Sequence, residues 1–422
     1  MWICSLSIGN EIINGDRLNT NAHWVAQQLV GRGLQPNIHL TLPDNAESIL
    51  SFLDSVKKKE GLLISSGGLG PTLDDQTRAI IAKWLKVPLE ENSQARQDLS
   101  QWALQKNRVL QSADLLQTQF PKGARIIANP LGSASGFYIR QKNLHLAFFP
   151  GVPVELKAMF QNFIDQFFRE NKAQLALPTV HQKKIWTFGW PESEQGKLDF
   201  LNKLPPCIQL SSLPSEEGVQ LGLSFTGSSS KNDFNPHLLL FKKTWKQLVK
   251  SIPKEKIIFP AGLSVLEALI FKLLQRKETL ALAESLTGGY TGYVLTQMSG
   301  SSKWFVESAV TYLDKAKNRR LGISPKLLRQ QGAVSEEVSL AMAKAILKKS
   351  GAHWALSLTG YAELPSSPSS AKAGEVWMSV AHSSGFKRTQ KVFLPGNRDQ
   401  VRKRSAYAGL FFLLSCLEEV SL

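Results

Sequence analysis

GLLISSGGLGPTLDDQT, residues 61–77, sets an apolar run of strand length against a loop carrying Gly67, Gly68 and Gly70, and then opens a helix. Glycine lets the backbone approach a ligand closely, and the free N–H groups of a helix's first turn can bind an anion. Asp74 and Asp75 at that mouth repel a bare phosphate, which suggests a divalent cation between carboxylate and phosphate. The other reading is a tight strand-to-helix turn in which an aspartate caps the helix, and spacing alone leaves both open. Outward from this stretch the alternation repeats. WICSLSIG (2–9), NAHWVAQQLVGRG (21–33) and NIHLTLP (37–43) precede it, and ARIIANP (124–130), GFYIR (136–140), HLAFFPG (145–151) and the helical PVELKAMFQNFIDQFFRE (153–170) follow. Strands alternating with helices predict an α/β domain over 1–169 with a largely parallel sheet. GNEIINGDRLNTN (9–21) and FPGVPVEL (149–156) are further loops at strand ends, and in such a sheet these converge on one crevice.

Past residue 170 the texture changes. NKAQLALP (171–178) reads as a linker, KKIWTFG and VQLGLSFTG as strands, and HLLLFKKTWKQLVKSI as a basic amphipathic helix, so 170–258 is predicted to be a small α+β connector without catalytic residues. After PKEKIIFPAGLS, the spacing of LSVLEALIFKLLQRK is helical. TLALAES, VESAVTYL, HWALSLTG, GEVWMSVA and KRTQKVFLPG then read as strands between helices near 288–298, 335–350 and 397–417, which makes 259–422 a second α/β unit.

At 422 residues the chain exceeds what one core supports, and 43% hydrophobic with 20% charged residues is ordinary for a globular protein. MWICSLSIGNEIING lacks the basic start of a signal peptide, and AGLFFLLSCL (408–417) is about half of a membrane span, so a cytoplasmic protein without membrane association is expected. Cys4, Cys207 and Cys416 are far apart and form neither a disulfide framework nor a zinc motif. The formal charge of +16 is scattered in twos and threes (57–59, 183–184, 319–320, 402–404), which argues against nucleic-acid binding and for anionic small molecules.

The last domain holds nucleophile chemistry. In AESLTGGYTG (283–292), Thr287, Gly288 and Gly289 open a helix and could present backbone donors to an anion, although capping explains them equally. In SGSSKWFVESAVTYLDKAK (299–317), Ser302 lies in a turn, Tyr312 near a strand end and Lys317 at a helix start. A serine hydroxyl needs a base, and a lysine serves as one only when burial or a neighbouring cation lowers its pKa. No histidine occurs in this segment, which leaves a Ser-Lys type of acyl transfer. Spacing alone favours the plainer account in which Ser302 caps a turn, Tyr312 packs and Lys317 is solvated.

In order along the chain, GNEIINGDRLNTN, SGGLGPTLDDQT, NPLGSASGF and FPGVPVELKAMF resemble the N-terminal domain of the CinA (competence/damage-inducible protein) family, itself similar to molybdopterin-binding domains. The resemblance implies a three-layer α/β fold and, in some members, hydrolysis of the pyrophosphate of ADP-ribose with Mg²⁺ or a similar divalent ion. It implies a nucleotide site at Glu11, Asp44, Gly68, Gly70 and Thr72 and metal ligands at Asp74 and Asp75, with a molybdopterin-type ligand as the rival occupant. AESLTGG, SGSSKWFVESAVTYLDKAK, GAVSEEV (332–338), LTG (358–360), GEVW and LPGNRDQVRKR (394–404) resemble the nicotinamide-nucleotide amidase (NMN deamidase) domain that ends CinA proteins.

That second resemblance implies conversion of nicotinamide mononucleotide to nicotinate mononucleotide and ammonia, a step of pyridine-nucleotide salvage, without metal or cofactor. Ser302 matches the nucleophile, Tyr312 and Lys317 the activating pair, and Thr287, Gly288, Gly289, Thr359, Gly360 and Arg398 the substrate pocket. A KH-like connector and a homodimer are also implied. The chain departs from the family pattern after Gly360, where Tyr361, Glu363 and Leu364 replace an isoleucine, a glycine and a proline, and Lys372 does not align with the family lysine. A loop without those glycines folds less closely over a phosphate, and Glu363 repels one. The alternatives are therefore a degenerate amidase beside a working N-terminal site, or a non-enzymatic competence factor.

Overall fold

All six residues of the strand GLLISS are buried, as expected for an apolar run without polar alternation that is covered on both faces. The structure, a computed structural model, describes residues 1–72, 75–171, 179–227, 236–363 and 372–420. The chain divides into two compact units, Met1–His181 with a short return from Thr226, and Gln182–Phe225 with Phe234–Leu422.

In the first unit, β1 (Trp2–Ile8), β2 (Ile38–Leu42) and β3 (Gly61–Ser66) are followed by a small ribbon of β4 (Leu89–Glu91) and β5 (Gln119–Pro121), and then by β6 (Arg125–Ile127), β7 (Gly136–Gln141) and β8 (Leu144–Phe149). The main sheet has the order β2-β1-β3-β8-β7-β6. Its β2, β1, β3 and β8 run parallel, and β7 and β6 are antiparallel additions. One face packs Leu6, Leu63 and Phe148 against helices Ala46–Val56 and Thr77–Leu85 through Ile49, Leu53, Ile80 and Ile81. The other packs Ile3, Ile64 and Phe149 against helices Thr20–Val30 and Pro153–Asn171 through Leu29, Phe160 and Phe163. This is the expected three-layer α/β arrangement.

The second unit begins with the connector, β9 (Thr179–Thr187), β10 (Ile208–Ser215) and β11 (Gly218–Gly227) in the order β10-β11-β9. Helix Pro236–Ser251 covers that sheet by setting Phe241 against Leu223 and Phe225. Five further strands follow, β12 (Leu280–Glu284), β13 (Phe305–Val310), β14 (Trp354–Gly360), β15 (Glu375–His382) and β16 (Lys387–Phe393), in the order β13-β12-β14-β15-β16. β13, β12 and β14 are parallel, and β15 and β16 antiparallel.

Topology fixes where a site can lie in this sheet. After β12 the chain enters helix Tyr290–Thr296, whose Val294 and Leu295 share a core with helix Arg398–Glu419. After β13 it enters helix Asp314–Leu321, and Leu321 packs with Val338 and Met342 on the opposite face. Adjacent parallel strands whose loops part to opposite faces leave a crevice at their carboxyl ends. Helix Asp314–Leu321 is the one expected to start near Lys317, and a further helix, Pro325–Gln331, follows it.

Cys4 and Cys416 are buried free thiols, pushed up to about 12 chiefly by burial, and Cys207 is also unpaired. Among the described residues no helix is long and apolar enough to cross a membrane.

Candidate functional site

β12 ends on Glu284, whose side chain is 0% exposed. Its Oε2 accepts from Thr287 Oγ1 at 2.7 Å, Gly289 N at 3.2 Å and Thr291 N at 3.0 Å, while Oε1 accepts from Ser308 Oγ at 2.7 Å and Gly292 N at 2.9 Å. A buried carboxylate persists only when its lone pairs are occupied in this way. The arrangement corrects one expectation. The N–H groups of Gly289, Thr291 and Gly292 are engaged by Glu284, Tyr290 N donates to Thr287 O at 3.1 Å and Gly288 N to Ser285 O at 3.0 Å, so they are not presented to an anion. The positive φ of 60° at Gly288 and 93° at Gly289 lets the loop fold back over the carboxylate.

Held by that loop, Ser285 lies at the mouth of the crevice. Lys317, 1% exposed, reaches it from helix Asp314–Leu321, with Nζ 3.1 Å from Ser285 Oγ. Nζ also donates to the carbonyl oxygens of Thr311 at 3.1 Å and Tyr312 at 3.3 Å. Burial holds the Lys317 pKa below the 10.5 of a free lysine, against a smaller upward pull from Asp314 at 3.9 Å. When Nζ is neutral, its two N–H groups suffice for the two carbonyls, and the lone pair is left toward Ser285. The plainer account of a solvated Lys317 therefore fails, and the burial that a lysine base requires is present.

Tyr312 does not meet Lys317 through its ring. Its backbone carbonyl holds the lysine, whereas its hydroxyl, on a side chain 51% exposed, accepts from Arg398 Nη2 at 2.6 Å. Arg398 Nη1 donates to Glu363 Oε2 at 3.0 Å. One turn further along the same helix, Arg402 donates to Thr287 O at 3.1 Å, a contact the sequence reading missed although its four-residue spacing from Arg398 signals a shared face.

Ser302 is not brought to this pair. It is exposed in a single turn, Ser301–Lys303, ahead of β13, and Lys317 lies beyond the other end of that strand. Six strand residues at about 3.3 Å each put roughly 20 Å between the two ends. The hydroxyl beside the lysine is that of Ser285, which stood within the quoted AESLTGG. Its signal was position, the first residue after a buried parallel strand. Thr359 is buried and donates to Ala333 O at 2.8 Å, so its hydroxyl anchors a loop. At Gly360 a Cβ would stand 2.5 Å from Glu375 O, and close strand pairing accounts for the glycine. Lys372 is exposed, and Leu364 lies outside the described residues.

In the first unit the expected residues gather at the carboxyl ends of β1, β2 and β3. Asp44 Oδ2 accepts from Asn10 N at 2.9 Å, and exposed Glu11 folds back toward Gly9, where a Cβ would stand 2.7 Å from its Oε2. Asp75 Oδ2 accepts from Thr72 N at 3.0 Å and from the Thr72 hydroxyl, closing its own loop. At Gly68 a Cβ would stand 2.1 Å from Thr77 Oγ1, and at Gly70 2.4 Å from Asp75 Oδ2. Arg78, 4% exposed and unforeseen, donates to Leu69 O at 2.8 Å and Gly70 O at 3.0 Å, and burial lowers its pKa to about 10. Among the described residues no group of three or more His, Cys, Asp or Glu side chains is placed to hold a metal ion, and Asp74 lies outside them.

Fold and site define a protein of two α/β units, the second carrying a buried serine–lysine pair at the carboxyl ends of parallel strands. Residues 263–417 match the family described as CinA C-terminal domain, and residues 4–170 that described as probable molybdopterin binding domain. A CinA-like protein of Prochlorococcus marinus is 33% identical over 402 residues, covering 94% of this chain and 92% of its own. One of Citrifermentans bemidjiense is 31% identical over 425 residues, covering 98% and 97%. The chain belongs to the CinA family. Among solved structures, competence damage-inducible protein A of Klebsiella pneumoniae is similar at 27% identity and a TM-score of 0.36, over 37% of this chain and 97% of that one.

Proposed function

We propose that the second unit hydrolyses the carboxamide of nicotinamide mononucleotide to nicotinate mononucleotide and ammonia, with Ser285 as nucleophile and Lys317 as its base. The observation that carries this reading is the 3.1 Å approach of Lys317 Nζ to Ser285 Oγ, with the lysine buried and its pKa lowered. Neutral Lys317 takes the Ser285 proton as Oγ attacks the amide carbon. The resulting ammonium passes a proton to the nitrogen, the C–N bond breaks, and ammonia leaves an ester on Ser285. Water, deprotonated by the same amine, attacks that ester, and the carboxylate departs as Ser285 regains its proton. Ser285 is followed by Leu286 and Thr287, whose backbone N–H groups donate to nothing within the described residues and are the donors the loop offers to an oxyanion. Purified protein is expected to release ammonia from nicotinamide mononucleotide without added metal; no release would end the assignment.

For the first unit we propose ligand binding at the crevice of β1, β3 and β8. Asn21 Nδ2 donates to Gly151 O at 2.8 Å, and its Oδ1 is buried without a partner among the described residues. A buried lone acceptor is costly, and a ligand N–H or O–H relieves it. A nucleotide and a molybdopterin-type compound both supply such donors. ADP-ribose is expected to bind in calorimetry and to bind more weakly, by about tenfold, to Asn21→Ala; equal affinities would remove this site.

A further inference from the structure

The mouth of the second unit's crevice holds two guanidinium groups in different states. Arg402 rests on the carbonyl of Thr287, and among the described residues no carboxylate lies within ion-pair distance of it. Arg398 is bridged at 3.0 Å by Glu363 and steadied at 2.6 Å by the Tyr312 hydroxyl. Tyr312 gives its backbone carbonyl to Lys317 and its hydroxyl to Arg398, so one tyrosine residue links the serine–lysine pair to the Arg398 fork. An anionic group on a substrate whose amide sits at Ser285 therefore meets Arg398 with a carboxylate already in place. The side chains of Arg398 and Glu363 are 48% and 59% exposed, and such a pair separates at little cost. Glu363 is thus an exchangeable occupant and not a structural tie.

We propose that Glu363 is a specificity-determining residue, whose carboxylate holds the anion seat on Arg398 and so disfavours a phosphorylated substrate relative to the nucleoside carrying the same amide. The inference rests on the amidase reading of Ser285 and Lys317. The nucleotide and its nucleoside share the pyridinium cation, so attraction of that cation to Glu363 cancels in their ratio, and what remains reports the phosphate. Breaking one exposed pair changes affinity by about three- to fivefold.

The test measures KM and kcat for nicotinamide mononucleotide and nicotinamide riboside in the parent, Glu363→Gln, Arg398→Met and the double variant. Glu363→Gln is expected to lower the ratio of the nucleotide KM to the riboside KM about three- to fivefold, and that change is expected to vanish when Arg398 is methionine. An equal change for both substrates, or none, overturns the proposal. If the parent hydrolyses neither compound, the amidase reading fails separately, and calorimetric binding of ribose 5-phosphate against ribose decides in its place. Tighter ribose 5-phosphate binding by Glu363→Gln supports the seat, and unchanged binding overturns it.

Discussion

Lys317→Met is expected to reduce ammonia release by about 10³-fold or more, since a methionine of similar length fills the site but cannot take the Ser285 proton. The effect should fall on kcat, because the lysine is 1% exposed and acts in the proton transfers of the reaction, with Nζ 3.1 Å from Ser285 Oγ. The same residue makes two pH predictions. Only neutral Lys317 accepts a proton, so the rate is expected to rise with pH through an apparent pKa below 10.5 and then level off. For stability, the folded pKa lies below the unfolded one, so the unfolded state binds more protons between the two values. Wild-type stability relative to Lys317→Met therefore rises with pH from the lowered pKa up to about 10.5, and is flat below that window. Denaturant titrations of both proteins at several pH values check the slope; a fall would contradict the buried-lysine account.

The second large effect is structural. Glu284→Ala removes an acceptor that three backbone N–H groups and two hydroxyls share, and leaves all five donors in a buried space. Stranding buried polar groups in this way costs about 1–3 kcal/mol each before relaxation, so a loss of roughly 3–5 kcal/mol is expected, with a lower Tm for the second unit. Glu284→Gln keeps one oxygen acceptor and turns an amide toward donors, and should lie between. Because Glu284 shapes the loop that carries Ser285, both variants should lose activity beyond their fraction unfolded. An unchanged Tm in Glu284→Ala would show that the loop does not depend on this carboxylate.

Much of the fold was legible because its strands obey simple rules. GLLISS, LALAE and WALSLTG are unbroken apolar or small-residue runs of strand length, and such runs can only be central strands of covered sheets. The site was legible in part. Lys317 and Tyr312 were named, and the burial that a lysine base requires is present, but Tyr312 meets Lys317 through its carbonyl and Arg398 through its hydroxyl. Ser302 was named from the family resemblance, whereas the parallel pairing of β12 with β13, Glu284 opposite Val310, puts Ser285 at the lysine's end. Glu284 and Arg78 were missed for a different reason. A buried charge is recognised by the donors or acceptors that fold back on it, and those lie on several elements that sequence spacing does not bring together.

The central claim, that Ser285 and not Ser302 carries the chemistry, is tested most directly by ammonia release from nicotinamide mononucleotide in two alanine variants. Ser285→Ala is expected to lose the activity by about 10³-fold or more while Ser302→Ala retains it within about twofold. Loss in Ser302→Ala with full activity in Ser285→Ala would contradict the account.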